Sequence, residues 1–125
     1  MKTINIFIFL IATLTVSAQN YYVSPTGDNS NSGTSISEPF LTIQEAIDNA
    51  VAGSSIYVMA GIYSITEPLW LDGIHGTSGN AITITNYQND IAIINGLSLS
   101  GGEVDLFFIE NTSFVTINGL ILENN

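Results

Sequence analysis

Three short segments of this chain of 125 residues share one ending, which is an apolar residue, then Asp or Asn, then Gly. They are Leu71-Asp72-Gly73, Ile94-Asn95-Gly96 and Ile117-Asn118-Gly119, and each begins 23 residues after the one before. Asx and Gly residues tolerate the backbone conformation of a tight corner. A repeat of roughly 20–30 residues made of strands and turns is typical of a solenoid. The spacing therefore predicts stacked coils with a corner that recurs in each coil.

A longer segment, residues 81–96, is repeated with a small gap at residues 106–119. Both copies alternate apolar with polar residues, which places one set of side chains on one face of a strand. The alignment pairs Asn86 with Asn111 and predicts an internal ladder of asparagines. A β-sandwich hairpin is the alternative, because Asn-Gly between apolar runs is also a hairpin signal. We favour an all-β parallel β-helix, since a sandwich gives no reason for corners to return at fixed spacing.

One amphipathic helix is predicted ahead of the strands. Thr42 and Glu45 have the spacing of a capping box, in which each side chain bonds the other residue's backbone N–H. Gly53 supplies a stop signal. The apolar side chains that follow Thr42 share one face at helical spacing: Ile43, Ala46, Ile47, Ala50 and Val51. We expect this capping α-helix to cover the open end of the solenoid, where core side chains and strand edges would otherwise be exposed.

The first 18 residues have the organisation of a secretory signal peptide. Lys2 precedes an apolar run over residues 4–16, and the small-residue site Val16-Ser17-Ala18 follows. The sequence predicts a signal peptide over residues 1–18 with cleavage before Gln19. The apolar run is short for a transmembrane helix. We therefore expect a secreted or cell-surface protein with no membrane span in the mature chain.

The charge of the chain is strongly negative. Lys2 is its only Lys or Arg, against 11 Asp and Glu residues, and the formal net charge is −10. Such a surface repels phosphate backbones and anionic bilayers, which argues against nucleic-acid and membrane partners. It attracts divalent cations instead. The sequence has no Cys, so a secreted form has no disulfides and depends on its stacked core.

The loop that begins at Asp28 is a candidate calcium site. Residues 28–33 place oxygen-bearing side chains at alternate positions, as the first half of a calcium loop does. The twelfth position, where such a loop carries an acidic residue, is Pro39. Two interpretations stay open: calcium bound at Asp28, or a loop closed by its own Asx hydrogen bonds. The missing acidic residue favours the second.

Several segments together resemble a known family. They are Tyr22-Val23-Ser24-Pro25-Thr26-Gly27-Asp28, Gly33-Thr34, residues 39–47, Ile56-Tyr57-Val58, Gly61-Ile62-Tyr63 and residues 115–120. They resemble the N-terminal cap and first coils of secreted right-handed parallel β-helix proteins of the pectate-lyase-like superfamily. The resemblance implies a cap over residues 19–53 and opening coils over residues 54–125. It also implies an acidic polysaccharide as substrate and calcium as a cofactor.

The sequence departs from this family at one chemical point. Lyases of the superfamily resemble one another in using Lys or Arg to remove a proton beside a uronate carboxyl group, and the mature chain has neither residue. Residues 120–125 have the pattern of a strand that begins another coil. We therefore expect an N-terminal fragment without its own catalytic site, from a longer polysaccharide lyase or glycosidase. The alternative is a non-catalytic, adhesin-like β-solenoid that binds carbohydrate or protein.

Other candidate residues do not form a recognisable catalytic motif. A glycosidase needs two carboxylates, and five are available without a spacing that selects a pair: Asp72, Asp90, Asp105, Glu110 and Glu123. Asp72 holds the corner position of Asn95 and Asn118, which favours a structural role. His75 is the single histidine and has no evident partner. Four aromatic residues are candidates either for sugar stacking or for packing: Tyr57, Tyr63, Trp70 and Tyr87.

Overall fold

The structure, a computed structural model, describes residues 17–99 and 105–123. The predicted signal peptide lies outside this range except for its last two residues. The described elements are β1 (Asn20–Val23), α1 (Ile43–Asn49), β2 (Ser55–Val58), β3 (Gly61–Ser64), β4 (Leu69–Asp72), β5 (Ile82–Asn86), β6 (Ala92–Asn95), β7 (Phe107–Glu110), β8 (Val115–Asn118) and β9 (Ile121–Glu123). Over the same residues no helix has the length and apolar character needed to cross a bilayer.

The strands form three parallel sheets that the chain visits in turn. Sheet A has the order β1-β2-β5-β8, sheet B the order β3-β6-β9, and sheet C the order β4-β7. Every strand pair is parallel, and each full coil contributes one strand to each sheet. This is the predicted all-β parallel β-helix. The alternative of a sandwich built from antiparallel hairpins is wrong.

The length of the coil differs from the repeat seen in the sequence. Paired residues on neighbouring coils are 28 to 38 positions apart. The three apolar-Asx-Gly segments end β4, β6 and β8, which belong to three different sheets. The interval of 23 residues therefore runs from a corner of one sheet to a corner of another. Every corner needs a similar turn, so similar residues recur within a coil as well as between coils.

The predicted asparagine ladder is wrong for the same reason. Strand β5 stacks on β8 rather than on β7, so Asn86 and Asn111 lie in different sheets. Asn111 has a positive φ of 47° and donates from Nδ2 to Asp72 Oδ1 at 3.2 Å. The polar side-chain contact between β5 and β8 joins Thr85 Oγ1 to Asn118 Oδ1 at 2.6 Å.

Alternating residues of the strands fill the interior. The inward-facing aliphatic side chains of the first two coils are buried, and they are Ile56, Val58, Leu69, Leu71, Ile82, Ile84, Ala92 and Ile94. Ile56 stacks on Ile84, which stacks on Ile117, and Ile82 stacks on Val115, so aliphatic rows continue from coil to coil in sheet A. The buried face of α1 joins this core through Ile43, Ala46 and Ile47. The predicted capping helix is therefore present at the β1 end of the solenoid.

The start of α1 is fixed by a neighbouring loop in addition to its own cap. Thr42 Oγ1 accepts from the Glu45 N–H at 3.3 Å, as predicted. The reciprocal half of the capping box is absent, because the Thr42 N–H donates to Asn29 Oδ1 at 3.0 Å. Glu45 Oε1 instead accepts from Asn49 Nδ2 at 3.2 Å. The helix ends at Asn49, before the predicted stop at Gly53.

The free edge of sheet A is covered by the loop that precedes the helix. The Tyr22 N–H donates to Gly33 O at 2.7 Å, and the Phe40 N–H donates to Tyr22 O at 2.9 Å. The Ser24 N–H donates to Phe40 O at 2.9 Å, and Val23 forms a parallel bridge with Phe40. Residues 33–40 thus satisfy backbone groups of β1 that an edge strand would expose.

The edge of sheet C that β4 forms is covered by a single side chain. The Trp70 N–H in β4 donates to Gln44 Oε1 at 2.8 Å, and Gln44 Nε2 donates to Trp70 O at 3.1 Å. The primary amide thereby occupies the place of a peptide group on a neighbouring strand. Gln44 Nε2 also donates to Asp48 Oδ1, one helical turn further, at 2.7 Å.

The opposite end of the solenoid exposes residues that face the interior elsewhere. Ile109 stacks on the buried Leu71 but is 58% exposed, and Leu122 stacks on the buried Ile94 but is 51% exposed. The two ends therefore differ, since the β1 end carries a helix and a loop over its core.

Candidate functional site

The outer face of sheet C combines aromatic and acidic side chains. In β4 the alternation buries Leu69 and Leu71, so Trp70 and Asp72 point outward. Strand β7 places Phe108 in register with Trp70, and Glu110 in register with Asp72. The outer face of sheet C, defined here as these four outward residues, thus has an aromatic row beside an acidic row.

The indole of Trp70 is the exposed aromatic part of this face. Its side chain is 46% exposed, and its ring centroid lies 4.4 Å from that of Phe108 at an interplanar angle of 44°. Phe108 therefore supports one side of the indole, while Gln44 holds the backbone from which it projects. Two separate contacts fix the direction of the ring.

Two clefts, each with a volume of about 580 Å³, meet at Trp70. The helix-side cleft lies between α1 and the end of β4, and its lining includes Gln44, Asp48, Trp70, Asp72 and His75. The β3-side cleft lies between residues 41–44, at the start of α1, and β3. Its lining includes Leu41, Thr42, Ile62, Ser64, Glu67 and Trp70. Because Trp70 and Gln44 line both, the two concave surfaces adjoin at these residues.

Pairing in the sheet selects two carboxylates that the sequence left undistinguished. Asp72 and Glu110 are register partners on the outer face of sheet C. Asp72 also accepts from Asn111, which supports the predicted structural role of this corner. Asp90 has a different role, because its Oδ2 accepts from the Ala60 N–H at 2.9 Å and joins the turns of two neighbouring coils. The sequence did not indicate the pair because the coil length was unknown.

His75 has a partner that sequence reasoning missed. Its Nδ1 lies 3.0 Å from Ser113 Oγ, and the two residues form a parallel bridge between coils. Both residues are exposed. Ser113 was not identifiable from the sequence, because it lies 38 residues further along the chain. The pair adds a hydroxyl and an imidazole close to the helix-side cleft, which His75 lines.

The remaining candidate aromatic residues have two different environments. Tyr57 and Tyr87 form a cluster with Tyr22, which was not among the four aromatic candidates, and the ring centroids are 5.4 to 6.1 Å apart. Tyr63 is buried, and its hydroxyl lies 2.8 Å from Met59 O and 3.0 Å from Val23 O. Burial, reinforced by the charge of Asp90, raises the pKa of Tyr63 well above its ordinary value. Tyr63 is therefore a packing residue.

The Asp28 loop has the hydrogen bonds of an Asx turn. Asp28 Oδ1 accepts from the Ser30 N–H at 2.8 Å and from Ser30 Oγ at 2.7 Å. The Ser30 backbone bond, followed by the hydroxyl bond, lowers the pKa of Asp28. Within residues 17–99 and 105–123, no three Asp, Glu or His side chains gather as ligands of one cation. These residues do not fit a multi-carboxylate calcium site, and calcium binding at Asp28 stays a prediction.

The stacked parallel sheets, closed at one end by a helix, define a parallel β-helix protein. Residues 21–125 match the family described as "Pel9A-like, right handed beta helix region", and the chain belongs to this family. The predicted right-handed fold and the predicted relationship to pectate-lyase-like proteins are confirmed.

Two curated relatives and one solved structure are similar to most of this chain. Uncharacterized protein YwoF of Bacillus subtilis is 36% identical over 82% of the chain and 22% of its own length. Pectate lyase PEL9 of Emericella nidulans is 34% identical over 82% of the chain and 24% of its own length. A rhamnogalacturonan lyase structure superposes with a TM-score of 0.70 at 20% identity, over 84% of this chain and 28% of the other. The chain thus spans about a quarter of these proteins.

Proposed function

We propose that this chain is the N-terminal part of a secreted protein that acts on acidic polysaccharide. In that protein, residues 19–53 cap the β-helix and residues 54–125 begin it. The observation that carries the proposal is the match of residues 21–125 to the Pel9A-like family, together with the similarity to a pectate lyase. The exposed inward-facing residues of β7 and β9 support it, because a further coil would bury them.

In this proposal the described coils support catalysis without performing it. Proton removal beside a uronate carboxyl group requires a base and a positive charge that stabilises the enolate. Lys2, which lies in the proposed signal peptide, is the only Lys or Arg of this sequence. The base and the cation site are therefore assigned to coils beyond residue 125.

The catalytic part of the proposal is tested by comparing two proteins. One is the present chain, and the other is the product of the reading frame extended through the following coils. Both are incubated with polygalacturonate and calcium, and the ultraviolet absorbance of unsaturated product is recorded. We expect product from the extended protein alone. Product from the present chain would contradict the assignment, and so would an extended protein inactive on polygalacturonate and on rhamnogalacturonan.

The proposed secretion is tested independently of activity. The protein is recovered from the culture medium of its host, and its N-terminal residue is determined by mass spectrometry. We expect Gln19 as the first residue. An intracellular protein that retains Met1 would contradict both secretion and the signal peptide.

A non-catalytic carbohydrate-binding solenoid is the second candidate. The observation that favours it is again the shortage of basic residues, since Lys2 is the only one besides His75. An extended protein whose later coils also lack a Lys or Arg beside clustered carboxylates would support this candidate. It would bind polysaccharide in sedimentation assays without degrading it.

A further inference from the structure

We propose that the outer face of sheet C, with the two clefts beside it, is a binding site for neutral oligosaccharide chains. Trp70 is the stacking surface of this site. The inference does not depend on the proposed catalytic function, because it concerns residues of the first coils and no chemical step.

The shape of the region suits an extended ligand. The helix-side cleft and the β3-side cleft each have a volume of about 580 Å³, which lies within the range of small-molecule sites. Both clefts contain Trp70 in their walls, so a ligand that extends from one to the other passes this residue. An exposed aromatic residue where two clefts with both apolar and polar side chains adjoin offers an apolar contact with hydrogen-bonding groups on both sides.

The indole is held in place before any ligand binds. Phe108 packs against the ring, with centroids 4.4 Å apart, and Gln44 bonds both backbone groups of Trp70. A tryptophan side chain has only two rotatable bonds, so fixing it costs little conformational entropy. The apolar C–H face of a pyranose ring therefore meets a rigid, amphipathic surface.

The polar groups around Trp70 are suited to sugar hydroxyl groups. The carboxylates of Asp48 and Asp72 lie in the helix-side cleft, and that of Glu67 lies in the β3-side cleft. Ionised carboxylates accept hydrogen bonds from hydroxyl donors, and such charge-assisted bonds are stronger than neutral ones. Glu110, beside Asp72 on the same face, adds a fourth carboxylate.

The same charges decide which sugars are accepted. Three carboxylates line the two clefts and a fourth lies on the outer face of sheet C, and neither cleft contains a Lys or Arg in its lining. A uronate would bring a fifth negative charge into this field and would find no Lys or Arg to pair with. The site therefore selects neutral sugars over galacturonate.

The test uses the fact that Trp70 is the single tryptophan of the chain. The fluorescence of the purified protein is recorded while cellohexaose, xylohexaose or a neutral galactan oligosaccharide is added. Hexagalacturonate is titrated in parallel, with calcium and with a chelator. We expect a saturable change of emission with at least one neutral oligosaccharide and a weaker response, or none, to hexagalacturonate.

Variants locate the site, and calorimetry measures their affinity without relying on fluorescence. Trp70→Ala should weaken binding of the neutral ligand about tenfold, in line with the loss of one aromatic stacking contact. Trp70→Phe should retain part of the affinity. Tyr87→Ala, which removes an aromatic residue from the cluster on sheet A, should leave it unchanged. Circular dichroism verifies that each variant is folded.

Two results would overturn the inference. One is the absence of any response to the three neutral ligands at 10 mM, about the weakest binding that one stacked ring with a few hydrogen bonds should give. The other is tighter binding of hexagalacturonate than of the neutral ligands. If that tighter binding requires calcium, the carboxylates act through a bridging cation instead. Equal loss of affinity in Trp70→Ala and Tyr87→Ala would also refute the assignment to sheet C.

Discussion

Replacing Gln44 by Ala removes the side chain that covers the free edge of sheet C. Two hydrogen bonds to the Trp70 backbone are lost, one of 2.8 Å and one of 3.1 Å. A typical protein hydrogen bond contributes roughly 0.5–1.5 kcal/mol to stability. Both bonds are exposed, so water replaces part of each interaction. Alanine is also slightly better than glutamine within a helix. We therefore expect the free energy of unfolding to fall by about 1–2 kcal/mol.

Gln44→Glu is the more discriminating substitution, because it changes one donor into an acceptor and little else. The new carboxylate faces Trp70 O and Asp48 Oδ1, which both accepted from the amide in the wild type. At pH 7 this variant should be less stable than Gln44→Ala. The neighbouring acceptors disfavour the charged form of the new carboxylate and raise its folded pKa above the usual value of about 4.3. The deficit should therefore shrink as the pH falls through this raised value toward about 4, because the protonated group donates again.

The stabilities are measured by urea denaturation followed by circular dichroism and Trp70 fluorescence. A loss of 1–2 kcal/mol lowers the midpoint by about 0.5–1 M for a domain of this size. Asp48→Ala is the control, because it keeps both bonds to Trp70 and removes only the Gln44–Asp48 bond. The reasoning is refuted if Gln44→Ala is no less stable than Asp48→Ala. A Gln44→Glu variant as stable as the wild type at pH 7 would refute it equally.

Three further perturbations test other parts of the fold. Gly119 and Gly73 share a φ of 67°, but a Cβ on Gly119 collides with Asn86 Oδ1, whereas Gly73 has free space. Gly73→Ala should lower the free energy of unfolding by about 1–2 kcal/mol, and Gly119→Ala should lower it clearly more. Equal thermal melting temperatures of the two variants would contradict this. The buried Tyr63 hydroxyl keeps its proton where an unfolded tyrosine loses it, so wild-type stability should fall as the pH rises above about 10. In Tyr63→Phe the urea midpoint should fall less than in the wild type between pH 8 and 11. An equal fall in the two proteins would exclude the Tyr63 hydroxyl as the cause. Asn29→Ala removes the hydrogen bonds to the Leu41 and Thr42 N–H groups. It should lower the free energy of unfolding by about 1–2 kcal/mol in the same assay. An unchanged stability would mean that water accepts from these N–H groups equally well.

Local sequence signals predicted the elements of this fold better than their order in space. Alternating apolar residues identified β5 and β8 as strands, and Thr42 marked the start of the helix. The corner motif indicated a solenoid but gave a false period, because its three copies lie in three sheets. A single sequence does not show whether two similar corners are stacked in the same sheet on neighbouring coils or follow each other within one coil. Stacking partners such as Asn118 for Thr85 were therefore unpredictable.

The candidate site was foreseeable as a set of residue types but not as an arrangement. Trp70 was a candidate for sugar stacking, and Asp72 and Glu110 were candidate carboxylates. Their assembly on one face depends on a pairing between residues 38 positions apart. The role of Gln44 had no sequence signal, because an exposed helical glutamine is ordinary and its bonds to Trp70 arise only from tertiary packing.

The difference between the two ends of the solenoid determines where local unfolding of this chain begins. In a stack where each coil is held mainly by its neighbours, local opening begins where a neighbour is missing. Loop 33–40 and Gln44 close the edges of β1 and β4, so the backbone amides there should exchange slowly with deuterated solvent. The amides of β9 should exchange first. Protection of the backbone amides from exchange would then rise from coil to coil toward the helix.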